Sequence, residues 1–404
     1  MKRCLRFYTA GLLLLSFALS PGLAQVPKKT TLDSSTTRAA AEFKLDTEKV
    51  ESLLTKAKDA LLKGNDSDTN KYLGELTQIA IAAGEQQQYE TYENIFLRIL
   101  KVKDDYPDAL IKLADYYRQT NPMWAVDYYG RYLEVNPGNA DAYYGRGSCY
   151  LTRGSYTLAI ADLRYLVERL KPKDIGGLTN LALACWGRAG EINDPELYKQ
   201  AVGYMKSAVQ AAQETKNPEM QKKLPELKFR LGKLLLDYNN KVLGKAQSSE
   251  QKANLFEAID ILEHAIQEAK KAINHDMEGR QNLRQALLCY DVLSDVYTAM
   301  ISMNPKDPAP YLQLAQITRE KAALQLKESQ ILALNFYLKA VDADTKRPEN
   351  LILLAKGYNE LGQSKKAILT MDQAIKLVPD SKEYRKMRTQ FVASTQPTTK
   401  PKNK

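Results

Sequence analysis

Two histidines and three cysteines beyond residue 24 are the side chains most easily recruited for chemistry, and their spacing decides what they can do. His264 and His275 lie among charged neighbours, with no Cys, Asp or Glu at metal-ligand spacing, so they read as surface imidazoles. Cys149, Cys185 and Cys289 are scattered through helical patterns and odd in number, which reads as buried thiols rather than a disulfide framework. A bridge between Cys149 and Cys185 would need a close, specific approach that nothing in the spacing supplies. Gly145-Arg146-Gly147 lacks the third glycine of a dinucleotide loop, and Gly244-Lys245 has Asn239 where a phosphate loop begins with glycine. There is no nucleophile elbow and no paired-histidine helix. The sequence therefore nominates no catalytic, metal-binding or cofactor-binding residue, and the chain is read as a non-enzyme that needs no cofactor.

Ala, Leu, Lys, Glu and Gln abound, Gly and Pro number only 20 and 16 in 404 residues, and Val and Ile do not alternate. That composition predicts an all-α chain. The formal charge of +10 points at first to a polyanion, but its placement argues otherwise. Residues 1–24, 25–44 and 380–404 carry the whole excess, and residues 45–379 are neutral, so no nucleic-acid footprint is expected on the folded body. The basic ends leave open a rival reading as a polyanion or envelope-surface binder, whose affinity would fall steeply with salt.

Lys2, Arg3 and Arg6, the apolar run Ala10 to Leu19, and the small residues Gly22 and Ala24 together predict a signal peptide over 1–24, cleaved after Ala24. Its apolar run is too short to span a bilayer, which needs about 20 residues. No other apolar run looks long enough, so an exported protein, periplasmic or extracellular and without stable membrane insertion, is expected. Residues 25–44 and 393–404 are polar without periodicity and predict disorder.

Between the ends the strongest feature is self-similarity. In Pro348 to Pro379, Leu351, Ala355 and Tyr358 form one helical stripe, Leu361-Gly362 stops it, and Ala367, Met371 and Ala374 form a second. Residues 140–172 repeat the cadence: Tyr143, Gly147 and Tyr150, a turn at Gly154, then Ala159, Leu163 and Leu166. Small residues recur where paired helices must touch.

These two units resemble the tetratricopeptide repeat, with Arg146-Gly147 in place of the family's Leu-Gly pair. Looser copies run from Leu113-Ala114 to Ala125, Tyr129 and Tyr132; from Leu181-Ala182 to Ala201, Met205 and Ala208; from Leu231-Gly232 to Ala258, Leu262 and Ala265; and from Leu314-Ala315 to Ala333, Tyr337 and Ala340. The resemblance covers residues 107–379 and implies a right-handed solenoid of helical hairpins. The small-to-small spacing is 12 residues in the clear copies but 19, 26 and 18 in three of the others. For the longest, Asn239, Asn240, Gly244, Ser248 and Ser249 predict a polar loop; Lys321 to Gln330 is helix-friendly and predicts longer helices. Residues 279–303 read as a degenerate or unpaired helix. Residues 45–106 predict irregular capping hairpins, with Asp46 as a helix cap.

In arrays that resemble this one, a second stripe on each first helix lines a concave groove. Here it carries Ile111, Asp115 and Arg118; Tyr144, Ser148 and Leu151; Thr179, Leu183 and Trp186; Phe229, Lys233 and Leu236. Its central part, Tyr144, Ser148, Thr179, Leu183, Trp186, Phe229 and Lys233, is the expected binding site for a protein or peptide segment. An enzyme or small-ligand binder using the same groove as a pocket is the remaining alternative, and it would need clustered titratable groups there.

Overall fold

The computed structural model describes residues 45–243, 248–271 and 277–393. The expected signal peptide, the 25–44 linker, the tail beyond 393 and His275 lie outside the described residues. Every regular element among the described residues is helical, and the chain divides into two compact units, one up to Ala211 and one from Ala212.

The first unit opens with α1 (Thr47–Leu62), α2 (Asp66–Glu85) and α3 (Tyr89–Val102). Asp46 caps α1 as expected, its carboxylate accepting from Lys49 N at 2.9 Å and so satisfying one of the free amides of the first turn. Two hairpins follow: α4 (Pro107–Thr120) with α5 (Pro122–Val135), and α6 (Ala140–Thr152) with α7 (Tyr156–Tyr165), which ends in a π turn over Leu166–Leu170. Next comes α8 (Ile175–Ile192); α9 (Pro195–Glu214) crosses the division between the units. Gly154 turns α6 into α7 at φ +71°, a conformation that glycine enters without steric cost.

The small residues stand where the repeat cadence places them. Ala114, Ala125, Ala159, Ala182 and Ala201 are all fully buried. A methyl group on Gly147 would come within 2.7 Å of the Leu163 side chain, so α6 and α7 touch because that position has no Cβ.

In the second unit a short turn, α10 (Pro218–Gln221), precedes α11 (Leu224–Tyr238), which continues as a π turn over Asn239–Leu243; α12 is Ser249–Lys271. The expected polar loop is therefore largely helical, since helix reaches Leu243 and resumes at Ser249. Asn239 explains why: it is buried, and its amide donates to Gln251 O across the hairpin at 3.1 Å instead of facing water. The Gly232 and Leu262 contact expected between α11 and α12 is present, with a Cβ at 232 only 2.7 Å from Leu262.

Residues 279–303 belong to α13 (Met277–Met303), which packs on α12 and on α14 (Ala309–Ala343) and so is not unpaired. Its segment Gly279–Met303 is long and apolar enough, at mean hydropathy 1.2, to pass as a membrane span, which the sequence reading missed. Leu283, Ala286, Tyr290, Leu293 and Val296 are buried, so this apolarity serves helix packing within the unit. The hairpin expected from Leu314-Ala315 to Ala333 is a single 35-residue helix. Lys321 to Gln330 contains no Gly, Pro or Asn to stop it, and Ala315 points into solvent rather than at a partner helix. The unit closes with the hairpin α15 (Pro348–Glu360) and α16 (Ser364–Leu377), then α17 (Lys382–Ala393). Gly362 turns the hairpin at φ +71°, and Ala355, Ala367, Met371 and Ala374 are fully buried.

Ala367→Phe should therefore destabilise this hairpin by about 1–3 kcal/mol, whereas the exposed Lys365→Ala should be nearly silent. Urea unfolding of both variants checks this, and equal effects would contradict the packing.

Three helices of the second unit meet at Glu320 on α14. Its carboxylate accepts from Tyr290 Oη at 2.5 Å, Lys270 Nζ at 3.0 Å and Gln316 Nε2 at 3.1 Å. These donors, the Tyr290 hydroxyl first, hold its pKa at about 2. A folded-state value below the unfolded one gives stability that is present above the ordinary carboxylate range and is lost as pH falls toward about 2. Glu320→Gln should therefore lower the thermal midpoint near neutral pH, and its difference from wild type should close between about pH 5 and about pH 2.

Candidate functional site

Among the described residues no group of three or more His, Cys, Asp or Glu side chains is arranged to hold a metal ion. His264 is exposed on α12 one turn from Asp260, with Nδ1 3.3 Å from the Asp260 carbonyl oxygen. The three cysteines are free and buried, and burial pushes the thiols of Cys149, Cys185 and Cys289 up to about 12, 11 and 12. They stay protonated near neutral pH and are poor nucleophiles.

Most of the predicted stripe lies in the first unit, where the first helices α4, α6 and α8 follow one another and α6 packs directly on α8. Asp174 caps α8 by accepting from Gly177 N at 2.6 Å, and the glycines there let α6 come close. A Cβ on Gly176 would lie 3.0 Å from the Tyr144 ring. Tyr144 is half-buried; burial raises its pKa, an effect opposed by the Arg118 charge, so the phenol stays neutral and able to donate. Ser148 Oγ donates to Tyr144 O at 2.6 Å and accepts from Asn180 Nδ2 at 2.9 Å, which ties α6 to α8 across the stripe. Thr179 Oγ1 donates back to Ile175 O at 2.7 Å. Leu183 and Trp186 continue the same face along α8, and all five predicted residues of this unit are half-buried.

Phe229 and Lys233 belong to α11 in the second unit and are described there alone. Phe229 is only 9 % exposed and serves as core, not as an accessible anchor. Lys233 is half-buried, and burial lowers its pKa while Asp237 opposes the shift. The structure thus brings Tyr144, Ser148, Thr179, Leu183 and Trp186 onto one face of α6 and α8. Sequence reasoning missed Asn180, although its place one residue after Thr179, opposite Ser148, is the signal that finds it.

Stacked hairpins closed by small residues, with a half-exposed stripe along their first helices, define the class. The tetratricopeptide-repeat family model matches residues 112–175, which span α4 through the start of α8. Over those residues the chain carries tetratricopeptide repeats. Among curated proteins it is similar to tetratricopeptide repeat protein 14 of Mus musculus, 28 % identical over 130 residues, a stretch that covers 31 % of this chain and 17 % of the mouse protein. Solved structures that align include Pseudomonas aeruginosa pilF (14 % identity, 66 % of this chain and 99 % of that one, TM-score 0.37) and yeast Tom70 (16 % identity, 76 % of each, TM-score 0.28). A fold of this type is suited to protein–protein interaction.

Proposed function

We propose that the protein works by binding, without catalysis, and that the α6–α8 face holds an extended segment of a protein partner. The observation that carries this reading is the continuous half-exposed row of Tyr144, Ser148, Asn180, Thr179, Leu183 and Trp186. Ser148, Asn180 and Thr179 offer hydrogen-bonding groups to a peptide main chain, while Tyr144, Leu183 and Trp186 offer apolar area, and buried aromatics dominate the energy of such contacts. Export belongs to the same proposal, supported by the charged, apolar and small-residue pattern of 1–24.

The test is capture of partners from the native cell by the full-length protein and by a Tyr144→Ala, Leu183→Ala variant. The variant is expected to retain less than about a tenth of the captured partner while unfolding cooperatively in urea. Undiminished capture would overturn the reading. Amino-terminal sequencing of the protein from its own cells should begin at Gln25; an intact Met1 would count against export.

A further inference from the structure

Apart from the α6–α8 face, α3, α4 and α5 carry an aromatic cluster built around a carboxylate. Tyr89 and Tyr116 stack with centroids 6.4 Å apart, Tyr116 lies 5.1 Å from Tyr117, and Tyr117 lies 5.6 Å from Tyr128 with the rings within 8° of parallel. Trp124 meets Tyr117 edge-on at 5.0 Å and remains 52 % exposed. Glu93 of α3 sits among these rings. It accepts from the Tyr117 hydroxyl, hydrogen-bonds with that of Tyr116, and acts electrostatically on Tyr128. Burial raises the pKa values of Tyr116, Tyr117 and Tyr128, so these phenols are neutral donors, and the neighbouring Arg131, whose charge acts on Tyr128, donates from Nη2 to the Asp104 carbonyl oxygen at 2.6 Å.

From this arrangement we infer that the α3–α5 cluster is a recognition site for the cationic side chain, arginine or lysine, of a partner peptide. The faces of aromatic rings attract cations through their quadrupole, and Arg is their commonest partner. The chain already shows the preference at its edge, where the Arg131 guanidinium lies 5.8 Å over the Tyr128 ring. An aliphatic occupant would bury Glu93 without a counter-charge, which is costly, and an anionic one would be repelled. A cation alone satisfies the ring faces and the carboxylate together. The site lies on other helices than the proposed groove, and its test does not depend on that reading.

The test uses the full-length protein and a fluorescein-labelled Gly-Arg-Gly-Arg-Gly peptide read by anisotropy, with the Gly-Gln-Gly-Gln-Gly peptide as control. Because the basic excess of the chain lies in its ends, both peptides are also read at about 0.5 M salt, which screens general attraction between exposed charges. The arginine peptide is expected to bind at least about tenfold more tightly than the control, and Glu93→Gln and Trp124→Ala should each cut that preference about three- to tenfold. Trp124 is more than half exposed, so its variant should keep the wild-type circular dichroism spectrum and thereby separate binding from folding. Equal affinity for the two peptides, or a preference that survives both substitutions, would overturn the proposal.

Discussion

Alanine in place of Gly145 will destabilise the first unit by about 1–3 kcal/mol, although Ala is otherwise the better helix former. A Cβ at 145 would lie 2.3 Å from Cζ of Tyr129 and 2.4 Å from its hydroxyl oxygen. That ring cannot retreat. It is fully buried, and its hydroxyl donates to Asp115 Oδ1 at 2.6 Å, which fixes the far end. Gly203 on α9 makes the contrast, because a Cβ there meets nothing within 4 Å. Gly203→Ala should stabilise by about 0.5–1 kcal/mol through helix propensity alone. Urea denaturation of the two variants reads opposite signs if the packing is as described, and a stabilising Gly145→Ala would contradict it.

Loss of the Asp162 carboxylate is the second large effect. Arg146 of α6 donates to it through Nε and Nη2, both at 2.8 Å, which is the two-pronged geometry a guanidinium forms with a carboxylate. The Asp162 side chain is 9 % exposed and that of Arg146 is 22 % exposed. Hydrogen bonding to Asp162 is the main cause that raises the Arg146 pKa, and although its removal takes that support away, a guanidinium stays protonated in any case, which leaves an unpaired charge. Asp162→Ala should cost about 2–3 kcal/mol, below the about 3–5 kcal/mol of a fully buried pair because Arg146 keeps some access to water. In a double-mutant cycle, Arg146→Met with Asp162→Leu should recover much of the loss. If the single and double variants were equally unstable, the ion pair would not be the cause.

The pair also bears on what the sequence shows. Arg146 stands in the family pattern where Leu is usual, and the structure supplies a reason in the acidic residue at 162 on the facing helix. Hairpins closed by small residues could be read because one missing methyl sets the distance between helix axes, as at Gly147 against Leu163 and Gly232 against Leu262. Gly145 was passed over, since the cadence marked only Gly147, while the tighter approach depends on a tyrosine from the preceding hairpin. The fusion of residues 309–343 into one helix was hidden for another reason. Ala315 and Ala333 keep repeat-like spacing, yet small residues are also simply good helix formers.

The groove residues divide along similar lines. In α6 and α8 the stripe opposite the small residues is half-buried, and the helical period together with the family resemblance points to Tyr144, Ser148, Thr179, Leu183 and Trp186. In α11 the period carries no such information, because Leu227 through Gly232 and Leu234 through Leu236 are buried on every side of the helix. Phe229 could therefore not be told from core. The aromatic cluster of α3–α5 draws on three helices, and no single segment of sequence displays it.

Photo-crosslinking in the native cell tests the central claim most directly. A benzophenone amino acid at position 183 probes the α6–α8 face, and one at position 158, where the exposed Leu158 lies on α7, probes a surface outside it. Discrete partner adducts from 183 and none from 158 are the predicted result; adducts of equal yield from both, or from 158 alone, would contradict binding through the α6–α8 face.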